Sequence, residues 1–216
     1  MAFEAYDDYE QNERVQKWLR VNGIPVVVGL IIGLVAIFGW QRWRAHQESN
    51  QSAAAQLYQQ IQVAAASGNS TLATQNTEQL MKDYPKSAYA VFAVSDRAVQ
   101  EVQAKQLDKA RVSLQWASDH AKEKTLKSLV QLRMARVELA QNDAAKALTV
   151  LDAIPKDSYQ GLVLELRGDA LVKLGRTEDA RKAYQTALST LSEAAPQRGA
   201  LQMKFDDLAV AGKQGA

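Results

Sequence analysis

The sequence contains no cysteine, only two histidines and almost no excess of charge of either sign. Without cysteine, the chain forms no disulfide, no thiolate metal site and no thiol nucleophile. The two histidines, His46 and His120, are far apart in sequence and lack a neighbouring cluster of ligands, which argues against a zinc site. We therefore expect neither a metal nor a cofactor.

The near balance of basic and acidic residues excludes nucleic acid as a binding partner. The 26 basic residues are nearly balanced by 24 acidic ones, and the balance persists in the residues after Arg44. A domain so close to neutral lacks the positive field that holds a phosphate backbone.

Catalytic fingerprints are also missing, because neither a P-loop nor a dinucleotide-binding glycine pattern occurs. Ser118, Asp119 and His120 include the residue types of a hydrolytic triad. Adjacent residues on a helix point in different directions, however, so these three side chains cannot form a relay. We expect no enzyme activity and no small-molecule substrate.

One long uncharged run stands out, from residue 21 to residue 41. As a helix, its 21 residues would extend roughly 30 Å, which matches the hydrocarbon core of a membrane. Tryptophan and basic residues flank it, as they do at membrane surfaces: Arg14, Lys17, Trp18, Arg20, Trp40, Arg42, Trp43 and Arg44.

A cleaved signal peptide has a short basic start, whereas this run follows an acidic stretch and ends in WQRWR. A buried core helix rarely runs so long without a charge. The sequence therefore predicts a tail over residues 1–20, a transmembrane anchor over 21–44 and a further domain over 45–216. Three basic residues before the run and two after it favour a cytoplasmic amino terminus by one residue.

Small residues recur within the anchor at helical spacing. Gly29, Gly33 and Ala36 would lie on one face, and such faces pack closely against other membrane helices. We predict a membrane-helix contact there, although glycine is also common in membrane helices that make no such contact.

After Arg44 the pattern is helical, with only three prolines and short breaks. The breaks fall at residues 67–69, 84–86, 106–108, 141–143, 154–155, 175–177 and 195–196. Asn142 or Asp143, and Thr177, are suitable helix N-caps.

A repeat is visible when Ala110, Ala147 and Ala180 are aligned. Twelve residues before each alanine stands a small residue, and four residues after it a large one. The small residues are Ala98, Ala135 and Gly168, and the large ones are Leu114, Leu151 and Tyr184. This packing pattern, with a period near 34 residues, is typical of tetratricopeptide repeats. We predict an all-α fold, with a single N-terminal transmembrane helix followed by a tetratricopeptide-like array of helical hairpins.

Anchor and repeats together resemble the ancillary SecYEG translocon subunit family, also called YfgM-like proteins. The resembling residues near the anchor are Asn22, Gly23, Gly29, Gly33, Gly39, Trp40, Trp43, His46 and Gln47. Further matches are LRMARVELAQ at 132–141, LRGDAL at 166–171 and LQMKFDDL at 201–208. The resemblance extends in order along nearly the whole chain.

The resemblance implies a bacterial inner-membrane protein with a cytoplasmic amino terminus and periplasmic repeats. It further implies SecYEG and the membrane-anchored periplasmic chaperone PpiD as partners, with emerging chains passed to other periplasmic chaperones. A modulating role in an envelope stress response is also implied, and no catalytic residue is carried over. Two alternatives stay open: a structural or regulatory role, and an adaptor in peptidoglycan or outer-membrane assembly.

In tetratricopeptide arrays the first helices of successive pairs line a concave surface. Counting from the aligned alanines gives a mostly apolar candidate partner face: Phe92, Val99, Val102, Leu129, Leu132, Arg136, Leu139, Leu162, Glu165, Asp169 and Val172. Such a face suits an amphipathic helix or an unfolded hydrophobic client. Alternatively, these residues are core, or a carboxyl-terminal helix around Leu201, Met203 and Phe205 fills the groove.

Overall fold

The computed structural model describes the backbone of residues 4–214 and the side chains of residues 15–208. All regular structure in that range is α-helical, which confirms the predicted fold class. The helices are α1 (Glu4–Ala66), α2 (Ser70–Asp83), α3 (Ala88–Gln103), α4 (Leu107–His120), α5 (Lys124–Ala140), α6 (Ala144–Asp152), α7 (Gln160–Lys173), α8 (Thr177–Thr190) and α9 (Arg198–Gln214).

The chain divides into two compact units, Met1–Ser52 and Ala53–Ala216. In the first unit, α1 contains an 18-residue window with a mean hydropathy of 2.5, none of which is buried. By length and composition, α1 is able to cross a membrane.

The second unit is a series of helical hairpins. Helix α3 packs on α4, α5 on α6, and α7 on α8. The end of α1 forms a further hairpin with α2, since Ile61 and Ala64 share a buried cluster with Ala73 and Leu80. Helix α9 follows the last hairpin and packs on α8.

The four hairpin loops close in the same way. Each has one residue in the left-handed region, with φ between 59° and 75°: Gly68, Lys105, Asn142 and Gly175. The amide of the next residue donates to a carbonyl five positions earlier, which is the closing bond of a Schellman motif. These bonds are Asn69 to Ala64, Gln106 to Glu101, Asp143 to Glu138, and Arg176 to Leu171, at 2.8–2.9 Å. The first hairpin is therefore a fourth copy of the repeat.

The predicted packing register is confirmed. Ala110, Ala147 and Ala180 are fully buried, and the large residues four positions later are at most 3% exposed. Each large side chain lies in the core of its own hairpin, because the small residue of the preceding helix leaves room for it. The third of these pairs is the tightest, since a Cβ built on Gly168 would overlap the Tyr184 ring.

Candidate partner-binding face

The apolar residues of the predicted partner face are exposed on α3, but none of the leucines of that face on α5 is exposed. Phe92, Val99, Val102 and Val172 are 37–44% exposed. The side chain of Arg136 is exposed as well, and those of Leu129, Leu162 and Asp169 are half-buried.

Leu132 and Leu139 do not belong to an exposed face. They are only 2% and 8% exposed and lie in a core cluster with Leu151 and Leu166. The reason is the position of α5, which contacts α4, α6 and α7. The position that is open at Val102 on α3 is therefore covered at Leu139 on α5, whereas the position of Leu132 is buried on both helices, with Ser95 as its counterpart on α3. Leu132 and Leu139 are core residues.

Helix α9 covers the polar part of the face on α7. The Lys204 ammonium lies 2.8 Å from Glu165 and 2.8 and 2.9 Å from the two oxygens of Asp169. The Tyr184 hydroxyl donates to the same Asp169 at 2.7 Å. Leu201 of α9 is fully buried against Tyr184. At Glu165 and Asp169, the carboxyl-terminal helix α9 therefore covers the predicted partner face, as one of the alternatives for this face proposes.

Burial under α9 and the hydrogen bonds formed there shift the pKa values of Tyr184 and Lys204. Burial, then the hydrogen bond to Asp169, raises the pKa of Tyr184. Burial alone would lower the pKa of Lys204, but its hydrogen bonds to Asp169 and Glu165 outweigh that effect and raise it. Lys204 is therefore held as a cation between two carboxylates.

Sequence reasoning missed an aromatic cluster at the first hairpin. Tyr58 of α1 lies beside Tyr89 and Phe92 of α3, with ring centroids 5.9 and 6.1 Å away. Its hydroxyl donates to Asp96 at 2.8 Å. Burial, then this hydrogen bond, raises the pKa of Tyr58 to about 12. We call Tyr58, Tyr89, Phe92, Val99 and Val102 the α3 face.

The anchor residues are open to neighbours from outside the chain. A Cβ built on Gly29 or Gly33 meets no atom within 4 Å, and Ala36 is exposed. Trp40 and Trp43 lie together further along, with ring centroids 5.4 Å apart. Nothing within the described part of this unit occupies the predicted contact face.

The side chains of Ser118, Asp119 and His120 do not meet. His120 stacks on Trp116 with 4.0 Å between ring centroids, and its Nδ1 lies 2.8 Å from the Trp116 carbonyl oxygen. Asp119 instead accepts a hydrogen bond from Gln115. Among the residues described, no group of three or more histidine, aspartate or glutamate side chains is placed to hold a metal ion.

The chain matches known proteins along most of its length. Residues 16–210 match the family described as tetratricopeptide repeat-like domain. A protein of Escherichia coli named Ancillary SecYEG translocon subunit is 30% identical over 209 residues, which is 96% of this chain and 100% of the relative. A relative of the same name in Haemophilus influenzae is 26% identical, over 96% of this chain and 100% of the relative. Another, in Neisseria gonorrhoeae, is 28% identical, over 94% of this chain and 97% of the relative. The chain therefore belongs to the family of ancillary SecYEG translocon subunits, which carry a tetratricopeptide repeat-like domain.

Proposed function

We propose that this chain is a non-enzymatic scaffold, anchored in the bacterial inner membrane by one helix and associated with the SecYEG protein-export translocon. The observation that carries the proposal is the match to ancillary translocon subunits over 96% of the chain. The apolar exposed part of α1 and the array of helical hairpins support it, since the first suits a membrane and the second suits protein partners.

In this proposal, residues 1–20 form a cytoplasmic tail, 21–44 the membrane anchor and 45–216 the periplasmic repeat domain. The basic residues before and after the anchor favour this orientation by one residue. Protease added to spheroplasts should then degrade the repeat domain and spare cytoplasmic proteins. Protection of the repeats in spheroplasts, with digestion after lysis, would place them in the cytoplasm.

We further propose that the repeat domain links the translocon to PpiD and other periplasmic chaperones. A modulating role in an envelope stress response is part of the same proposal. The α3 face is the surface for such a partner, because it exposes Phe92, Val99 and Val102 beside two tyrosine rings. An apolar face with a polar rim suits an amphipathic or unfolded segment.

Purification of the tagged full chain from gently solubilised membranes tests this function. We expect translocon subunits and chaperones to co-purify. Recovery of cell-wall enzymes without the translocon would favour the adaptor in envelope assembly, and recovery of a signalling regulator alone would favour a sequestering role. A tagged, unrelated single-span protein of similar abundance is the control.

A further inference from the structure

The four hairpins differ in how they fill one equivalent position. In the last three, a large side chain projects from the second helix: Leu114, Leu151 or Tyr184. The hairpin-loop register places Thr77 at this position in the first hairpin, four residues after Ala73. Thr77 is 3% exposed, and its hydroxyl donates to the Ala73 carbonyl at 2.8 Å. A short side chain thus stands where the other hairpins have a long one.

A cavity of about 180 Å³ lies at this position. Its floor consists of Ile61, Ala73, Thr77 and Ala93, all at most 7% exposed. Ile61 is larger than its counterparts Ala98, Ala135 and Gly168, so it takes up part of the space that Thr77 leaves. The remaining space opens to solvent at exposed side chains, among them Gln62 and Gln100.

The cavity wall is polar on one side. Asp96 and Arg97 of α3 line it, and the Asp96 carboxylate is already fixed by the Tyr58 hydroxyl. The Arg97 Nε is buried and makes no hydrogen bond to a described residue, although it lies 3.7 Å from a carboxylate oxygen of Glu101. A guanidinium so placed can lie against an aromatic ring, which needs no hydrogen bond from Nε.

We propose that this cavity receives one tyrosine side chain of a polypeptide bound at the first hairpin. The size fits, since an apolar protein cavity of about 150 Å³ takes up benzene. The ring would lie on the apolar floor, and its hydroxyl would reach Asp96 or the two glutamine amides. In the fourth hairpin the Tyr184 ring fills the equivalent position from within the chain, and its hydroxyl donates to Asp169, whose counterpart in the first hairpin is Gln62.

This inference rests on the proposed function only for the source of the tyrosine, a polypeptide held by the scaffold. The α3 face borders the cavity, since Tyr58 and Asp96 are joined by a hydrogen bond. A segment that packs on Phe92 is therefore near enough to place one side chain in the cavity.

The test uses the full chain in detergent micelles with N-acetyl-tyrosinamide as the probe and N-acetyl-alaninamide as the comparison. The methyl NMR signals of Ile61, Ala73 and Ala93 report on the cavity floor. We expect the tyrosine probe to shift these signals saturably, and the alanine probe to leave them unchanged. Failure of the tyrosine probe to shift them at millimolar concentration would overturn the proposal.

Thr77→Leu fills the cavity and should weaken probe binding at least about tenfold, as expected for loss of one buried side-chain site. Thr149→Leu is the matched control, because Thr149 makes the same hydroxyl bond to the carbonyl four residues earlier but on an exposed helix surface. If Thr77→Leu fails to fold, Ala65→Phe at the exposed rim blocks entry instead. Unchanged binding in the folded blocking variant would contradict the proposal.

The measurements distinguish failure of the tyrosine pocket from failure of the proposed scaffold function. Loss of probe binding with intact recovery of the translocon removes the pocket and leaves the proposed function. Intact probe binding without recovery of the translocon removes the proposed function and leaves the pocket.

Discussion

Gly168 lies under the ring of Tyr184, so closely that a Cβ on the glycine would lie 2.8 Å from the ring's Cζ and overlap its Cδ1 and Cε1. The two residues belong to facing helices of the fourth hairpin. The second and third hairpins use alanine and leucine at the same two positions. The second, third and fourth hairpins thus each hold a pair of complementary size, and a change in one member requires a change in the other.

Gly168→Ala should therefore lower the free energy of unfolding by about 1–3 kcal/mol, the usual cost of overpacking a core. Gly199→Ala is the control, since a Cβ at this helical glycine meets no atom within 4 Å. Thermal melting followed by circular dichroism measures both. Gly168→Ala combined with Tyr184→Leu recreates the alanine–leucine pair and should recover much of the loss; equal melting of all variants would contradict the packing.

The contrast between α3 and α5 gives a second prediction. Val99→Gln with Val102→Gln should change the free energy of unfolding by about 0.5 kcal/mol or less, because both valines are exposed. The same pair of changes should reduce the recovery of partners from membranes. Retained partner recovery would remove the α3 face as the binding surface.

Leu132→Gln with Leu139→Gln is the matched comparison. Each change buries an amide in an apolar core, at about 1–3 kcal/mol per group. A melting temperature equal to that of the unchanged protein would contradict their assignment to the core.

Alkaline pH should destabilise the repeat domain. The pKa of Tyr58 is raised from 10.0 to about 12, and that of Tyr184 is raised as well. The unfolded chain loses these protons near pH 10 while the folded chain keeps them. The free energy of unfolding should then be unaffected below about pH 9 and should fall between about pH 10 and 12.

Urea unfolding across that pH range measures the effect. Tyr58→Phe with Tyr184→Phe should reduce the slope. The raised pKa of Lys204 acts in the same direction, so some slope should remain. A stability that rises above pH 10 would contradict the assigned contacts.

The repeat register can be predicted from local sequence, but the loops that lack the usual glycine or proline signals cannot. The alternation of small and large residues predicts the hairpin register because it is set by direct packing. The break between α4 and α5 was missed, since Ala121, Lys122 and Glu123 include neither glycine nor proline. The α3–α4 loop likewise places Lys105 in the left-handed region, where the first and fourth loops have glycine.

Helix caps and long-range ion pairs are likewise only partly predictable from the sequence. Asp143 caps α6 as predicted, with its side chain accepting from the Lys146 amide at 3.0 Å. Thr177 instead begins α8, and Arg176 occupies the cap position without a side-chain capping bond, its guanidinium donating to the Asp179 carboxylate instead. The pairing of Lys204 with Glu165 and Asp169 joins residues 39 and 35 positions apart, and no local pattern encodes it.

The anchor offers a separate test. A Cβ added at Gly29 or Gly33 meets no atom of the described chain within 4 Å, so we expect Gly29→Leu with Gly33→Leu to leave the melting of the repeat domain unchanged. If these glycines contact another membrane helix, recovery of the translocon should fall modestly, because single helix contacts in lipid are small. Gly39→Leu is the control on another side of the helix. Equal recovery from all three proteins would mean that no such contact exists.

The absence of cysteine permits the most direct test of association with the translocon. Lys122→Cys at an exposed loop position provides a single thiol for a fluorescent label. The labelled full chain is reconstituted in liposomes with purified SecYEG carrying an acceptor dye, and energy transfer is measured. We predict saturable energy transfer that an excess of unlabelled chain abolishes by competition. Transfer no greater than that of an unrelated single-span protein at the same protein-to-lipid ratio would contradict this prediction.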